Sequence, residues 1–379
     1  MNKKQLRDAT FYIHRYMGLV VGLILVVIGL TGSLLVFEPE IEDFLVAQKY
    51  GHIVPQGQPV SIDEVVTTIN KEITKQPGMK IGSIIMPQNA TSPYHGRLWD
   101  KNDKLTQMFI HPYKNEVMGV IHQDANILRL ALHLHYELFA GKLGQIIVGL
   151  TGLFLFLLSV TGIILWPGWR RLISGFKIKW KAHPKRVNFD IHKVTGIVVA
   201  VFFSLTGITG FAWNFYDFSV PFIYATTFTP QPPELISKPV PGKSPVALSK
   251  VLANADAAIP NAQTIYIGLP SKLEGIIRVG KRQAHETSYY GESEITLDQY
   301  TGEVLRVVDS RKVGLGDRIL IWFTPLHFGT YWGIYSRILY VFVGLAPLIL
   351  FVTGFVMWWY RHRVKANNSI DTSKALQRY

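Results

Sequence analysis

Four stretches of the chain, residues 16–37, 143–169, 194–216 and 338–360, each run 22 residues or more without a charged side chain. A hydrocarbon core of about 30 Å needs roughly 20 apolar residues at helical rise, and a soluble core helix rarely stays apolar on every face for that length. The pattern therefore predicts four transmembrane helices. The segments between them carry shorter periods. In the first, Ser61-Ile62-Asp63-Glu64 forms a capping box that opens a helix through Ile73, with strands predicted near 80–85, 96–99 and 107–111. A turn at Pro112-Tyr113-Lys114-Asn115 then leads into Glu116-Val117-Met118-Gly119. The second segment repeats this grammar: a helix over 249–258, strands near 264–267, 276–279 and 293–297, and the turn Gln299-Tyr300-Thr301-Gly302 before Glu303-Val304-Leu305. A proline-rich stretch from Thr229 to Pro245 reads as a semi-rigid linker into it.

Register reveals a duplication. An ungapped offset of 178 places His14 on His192, Gly18 on Gly196, Gly29 on Gly207 and Thr31-Gly32 on Thr209-Gly210. An offset of 192 places His135 on His327, Gly141 on Gly333, Val160-Thr161-Gly162 on Val352-Thr353-Gly354 and Trp166 on Trp358. The expected protein is thus an integral membrane α-helical four-helix bundle with two α+β domains outside the membrane, built by internal duplication. The expected divisions are helix one over 11–37, a soluble domain over 38–132, helix two with an extension over 133–169, and a basic loop over 170–190. Helix three over 191–216, a second soluble domain over 217–326, helix four with its extension over 327–360 and a tail over 361–379 complete the chain.

Charge orients the helices. Lys3, Lys4, Arg7 and Arg15 precede the first, Arg170, Arg171, Lys177, Lys179, Lys181, Lys185 and Arg186 fill the second connection, and Arg361, Arg363 and Lys365 follow the fourth. The first helix exits instead into Glu38, Glu40, Glu42 and Asp43. Cationic loops stay cytoplasmic, so both termini are expected in the cytoplasm and the soluble domains in the periplasm of a bacterial inner membrane. The net charge of +13 then belongs to membrane lipid rather than nucleic acid, for which neither soluble segment offers a basic stripe with interleaved aromatics. The chain contains no cysteine, which excludes disulfides, zinc–thiolate sites and iron–sulfur clusters. The first helix is expected to be retained, because its apolar run exceeds a signal-peptide core and Glu-Pro-Glu follows it where a small-residue cleavage site would stand.

Four of the twelve histidines hold repeat-equivalent membrane positions. His14 and His192 are expected to begin helices one and three, and His135 and His327 to precede helices two and four. This supplies one pair per leaflet, and facing imidazoles on a bundle are a standard axial ligand set for haem b, hence two haems. Gly18 and Gly22 beyond His14, with Gly196 and Ala200 beyond His192, leave one helix face small enough for a porphyrin edge. The competing reading is that Gly18-x-x-x-Gly22 is a helix-contact motif and the histidines hydrogen-bond headgroups. His133 is an alternate ligand beside His135, pointing about 200° away on a helix. The repeat selects His135, since His133 aligns with Pro325. Wholly helical, the chain from His135 to Trp166 spans about 47 Å, which puts that pair near or above the membrane surface. Arg337 and Arg129 are candidate partners for haem propionates. His183 and His362 read as solvated or lipid-facing, and Trp322, Tyr331 and Trp332 as an aromatic belt.

These residues resemble the PepSY-associated transmembrane-helix family, which includes iron-regulated inner-membrane proteins and siderophore reductases. The resemblance rests on His14-Arg15-Tyr16-Met17-Gly18, Leu134-His135 with Gly141 and Gly144, Asp190-Ile191-His192-Lys193 with Gly196, and Leu326-His327 with Gly333 and Arg337. The Thr-Gly pairs of all four helices match too, and both soluble segments look like PepSY domains through their terminal turn and strand. Lys114-Asn115 departs from the family's Thr-Gly in the first turn. The resemblance implies a di-haem oxidoreductase that passes electrons across the membrane to a ferric siderophore, of hydroxamate type, and releases Fe(II). No Rossmann or P-loop motif is present, so the electron donor is expected to be a quinol or a separate cytoplasmic reductase. Two other functions fit the same residues: a di-haem relay or quinol-oxidising subunit serving another partner, and a haem-free anchor for peptide-binding or regulatory domains.

Overall fold

The computed structural model describes residues 2–75, 78–122, 126–240, 242 and 244–376, the stretch beyond 362 as backbone alone. Residues 241 and 243 of the proline-rich linker and the side chains of Arg363 and Lys365 lie outside that description. Helix α1 runs Lys3–Leu35, starting well before its apolar stretch because Asn2 and Gln5 form a reciprocal capping box. His14 therefore sits about three turns inside a helix rather than at its start. After α2 (Glu38–Tyr50) come α3 (Ile62–Ile73) and strands β1 (Lys80–Ile85), β2 (Tyr94–Trp99), β3 (Leu105–Ile110) and β4 (Val117–His122). The predicted Ser61–Glu64 capping box opens α3.

Next come α4 (Ile127–Glu137), α5 (Gly141–Leu165), α6 (Leu172–Phe176), α7 (Pro184–Asn214), α8 (Tyr216–Thr226) and α9 (Leu248–Ala258). Strands β5 (Gln263–Gly268), β6 (Ile276–Arg282), β7 (Ser293–Asp298) and β8 (Val304–Val308) lead to α10 (Leu315–Phe328) and α11 (Ile334–Leu376). Among the described residues four helices, α1, α5, α7 and α11, are long and apolar enough to cross a membrane.

The straight 47 Å rod from His135 to Trp166 does not form. The chain leaves the helical basin at Leu138 (φ 50°), Phe139 (φ 55°) and Gly141 (φ 54°), so α4 and α5 are separate helices. The backbone doubles back so closely that a Cβ at Gly144 would strike the carbonyl of Glu137. Gly329 (φ 70°) and Gly333 (φ 60°) break α10 from α11 in the same way. The histidine-bearing segments α4 and α10 thereby fold against the bundle instead of extending beyond it.

The two soluble segments share one antiparallel sheet, in the order β4-β3-β2-β1-β5-β6-β7-β8. Its centre is the β1–β5 pairing from Ser83 opposite Gly268 to Ile85 opposite Tyr266. One face packs on α3 and α9 through a continuous core that includes Val65, Ile69, Leu98, Val251, Ile267 and Leu297. A sheet joined across the middle hides two edges that separate domains would expose. Asn115 takes φ 53° where Gly302 takes φ 73° in the corresponding turn, and asparagine tolerates that basin better than most residues.

Strand alternation turns His95, Arg97, Gln107 and Phe109 toward the sheet's other face, where Gln107 meets Glu42 of α2 and Asn126 at the start of α4. A loop over 283–292 closes this side, held by Glu286, whose carboxylate accepts from the backbone of Gln283 and Glu292 and from Ser293 and Ser310. Burial, and then the neighbouring Glu286, push the Glu292 carboxyl up to about 7. The folded chain thus holds a proton that the unfolded chain releases near pH 4.5, so the contribution of Glu292 to stability falls as pH rises from there to about 7. Glu292→Gln is expected to flatten that dependence and to melt higher than the parent above pH 7, as thermal unfolding at pH 5 and pH 8 will show.

In the membrane layer α1 crosses α11 at Gly29 and Gly344, and α5 crosses α7 at Gly152 and Gly207. At both crossings a Cβ would meet the facing glycine's carbonyl oxygen. Gly29 and Gly207 differ by the first repeat offset, Gly152 and Gly344 by the second.

Candidate functional site

The structure brings the four repeat-related histidines together in two pairs. His14 of α1 faces His192 of α7 with ring centres 6.4 Å apart and planes at 87°. Toward the sheet side, His135 of α4 faces His327 of α10 at 6.1 Å and 83°. A metal–imidazole bond is about 2 Å long, so two imidazoles on opposite sides of one metal ion hold their ring centres roughly 6.3 Å apart. Both observed separations match that span.

Each ring is anchored through Nδ1 to a threonine of a neighbouring helix. The bonds are His14 to Thr161 at 2.9 Å, His192 to Thr353 at 2.8 Å, His135 to Thr31 at 3.2 Å and His327 to Thr209 at 2.8 Å. Each threonine hydroxyl already donates to the carbonyl four residues back: Leu157, Ile349, Val27 and Leu205. Its oxygen is therefore left to accept, which places the imidazole proton on Nδ1 and the lone pair on Nε2. For His135 the same tautomer follows independently, because Nδ1 also lies 2.9 Å from the Ile28 carbonyl, which can only accept. A nitrogen fixed in this way is set up to ligate a metal.

The glycine after each threonine makes room for the ring. A Cβ at Gly162 would sit 3.3 Å from Cε1 of His14, at Gly210 3.3 Å from that of His327, at Gly354 3.5 Å from that of His192, and at Gly32 2.9 Å from that of His135. The Thr-Gly pairs are thus paired half-sites: the threonine sets the tautomer and the glycine admits the imidazole. Sequence reading found these pairs as repeats without giving them a role. Their recurrence in register with the histidines was the available signal. Thr161→Val keeps the shape and removes the acceptor. It is expected to weaken the binding of a metal centre at the His14–His192 pair by about 10- to 100-fold, measured by titration with such a centre.

Gly18, Gly22, Gly196 and Ala200 all line a cavity of about 1230 Å³ that also contains His14 and His192. That exceeds the span of about 300–1,000 Å³ usual for small-molecule pockets. The Phe351 ring lies where a Gly22 side chain would go, whereas Cβ atoms at Gly18 and Gly196 would touch only Leu158 and Leu350, at 3.7 and 3.8 Å. Arg7, Arg15, Lys185 and Arg361 line the same cavity, so its outer end is cationic.

His133 is directed away from both pairs: its Nδ1–H donates to the Glu137 carboxylate, and the Tyr136 hydroxyl lies 3.3 Å from the same nitrogen. Arg337 forms a bidentate pair with Glu40, donates to the Val36 carbonyl at 2.7 Å and stacks over Phe37. It ties α11 to the start of α2. Arg129 is 8% exposed, and its Nε and Nη2 have no hydrogen-bond acceptor. His183 accepts from the backbone of Lys185 at the start of α7, and His362 bonds the Trp358 carbonyl, so both act within their own helices. Trp322 and Trp332 are exposed.

Among the described residues no three His, Asp or Glu side chains converge to hold a bare ion. Two opposed imidazoles suit instead a metal that brings its own equatorial ligands. In sequence comparison, an uncharacterized protein of Pseudomonas aeruginosa is 27% identical over 258 residues, covering 62% of this chain. The alignment spans 64% of that relative's own length. The PepSY-associated TM region model matches residues 11–361, from before the first histidine into the end of the last membrane span, and the chain belongs to that family.

Proposed function

We propose that this protein is a b-type di-haem electron carrier that reduces ferric siderophores. The observation that carries the reading is the pair of opposed imidazole sets, at 6.4 and 6.1 Å, each ring held through Nδ1 by its own threonine. His14 and His192 would hold one haem, with Gly18 and Gly196 leaving space along its edge, and His135 and His327 would hold the other. When bound, the haems supply one-electron chemistry at two depths of the membrane.

The remaining work falls to the chain. Thr31, Thr161, Thr209 and Thr353 hold the ligand tautomer, and the glycine crossings between α1 and α11 and between α5 and α7 hold the helices at close separation. Leu158, Leu350 and Phe351 line the first site with apolar surface. The cationic ends set the orientation by the positive-inside rule, with the His14–His192 pair toward the cytoplasm and the sheet in the periplasm. A quinol or a cytoplasmic reductase would supply electrons singly, and Fe(III) in the chelate would accept one to become Fe(II). Lower metal charge weakens its hold on anionic chelating oxygens, which releases the iron.

The test is direct. Purified protein reduced with dithionite, desalted and mixed with a ferric hydroxamate siderophore should reoxidise, and a ferrous chelator should capture one iron per electron delivered. Haem that stays reduced would remove the siderophore assignment and leave a relay to another partner. A chain that binds no haem would favour the anchored peptide-binding module.

A further inference from the structure

Resting on the di-haem reading, we infer that Arg97 and Arg129 form a carboxylate-binding site for the propionates of the sheet-side haem. Arg129 lies on α4 six residues before His135, about 9 Å of helical rise, and is 8% exposed with Nε and Nη2 lacking an acceptor. Arg97 projects from β2 on the sheet face turned toward α2 and α4, and its Nε is likewise buried without an acceptor. Buried guanidinium N–H groups without acceptors are costly, and paired arginines match carboxylate geometry better than any other side chains.

The carboxylates already present are poor substitutes. Glu38 approaches Arg129 only to 3.9 Å and also accepts from the Tyr290 hydroxyl at 3.3 Å. Glu42 is taken by Gln107 at 2.7 Å and by His95 at 3.5 Å. Burial pushes the Glu38 carboxyl up, against the opposing pull of Arg129 and Arg97. Burial, and then Arg129 beside it, lower Arg97, while Glu42 and Glu38 act in the opposite direction without hydrogen-bonding its Nε. The cluster also adjoins the histidine pair through packed rings: Tyr290 lies 5.6 Å from Phe328, and Phe328 lies 6.0 Å from His327. Arg337, the other sequence candidate, is satisfied by Glu40 and Val36 and takes no part.

The experiment uses the full chain in a His14→Ala background, which isolates the sheet-side site. Apo-protein from haem-limited cells is titrated with haem and with haem dimethyl ester, whose propionates carry no charge. Haem should bind at least about tenfold more tightly than the diester, the factor expected for charged hydrogen bonds. Arg129→Gln and Arg97→Gln should each shrink that preference, Arg129→Lys should restore part of it, and Arg337→Gln should leave it unchanged. The lysine variant also guards against simple misfolding. Equal affinity for acid and diester in the parent, or an undiminished preference in both glutamine variants, would overturn the assignment while leaving the axial ligands standing. Uptake of neither compound would sink the di-haem reading itself and this site with it.

Discussion

His14→Ala and His192→Ala should each remove the haem at the cationic end of the bundle and leave the sheet-side haem in place, taking haem content from two per chain to about one. His135→Ala and His327→Ala should do the converse. The expectation follows from pairing, because one imidazole alone leaves a low-spin haem without its second axial ligand. Pyridine haemochrome assay gives the count, and potentiometric titration shows which of the two steps has gone. Substitutions from opposite ends that deplete the same haem would show the pairing to be wrong. His133→Ala serves as the control, since Glu137 and Tyr136 hold its ring away from both pairs.

A larger structural effect is expected from Gly29→Leu and from its counterpart Gly207→Leu. At Gly29 an added Cβ would strike the Gly344 carbonyl and approach Pro347, and at Gly207 it would strike the Gly152 carbonyl and come within 3.0 Å of the Phe156 backbone nitrogen. Backbone cannot move aside as a flexible side chain can, so the cost should reach or exceed the ~3 kcal/mol upper end of ordinary overpacking. The helices would separate, and the two histidines of each pair would lose their facing positions. Gel filtration in detergent together with thermal unfolding should show loss of the folded species, whereas Gly333→Leu, with open space around its Cβ position, should affect only the local turn. Gly333 does carry φ 60°, so a modest strain penalty is expected there.

The membrane helices were legible in the sequence because apolar length is local, and the histidine pairs because they recur in register. Apolar length sets the spans, and the same contact residues recur at the two offsets. Offsets of 178 and 192 selected His135 over His133, and His133 proves to be engaged by Glu137 and Tyr136. The strands were equally readable from alternation, and the α3 capping box from four consecutive residues.

Contacts between distant segments were not readable. Nothing in 80–85 or 263–268 alone says that β1 pairs with β5 and joins two segments into one sheet. The break at Leu138 and Phe139 was hidden because ordinary apolar residues adopt positive φ there, imposed by the return of α5 past Glu137. Arg129 and Arg337 looked alike in sequence as isolated cations near apolar helices. Only placement separates them, one paired with Glu40 and one buried beside Arg97. The role of the Thr-Gly pairs likewise depends on which helix each one faces.

The central claim is that two imidazole pairs each hold a haem. The most direct measurement is the absorption spectrum of the purified full chain, oxidised and dithionite-reduced, with haem counted per polypeptide. Two haems per chain with the sharp reduced bands of a six-coordinate b-type centre are predicted. A colourless protein that remains so after expression with added haem precursor would contradict the account.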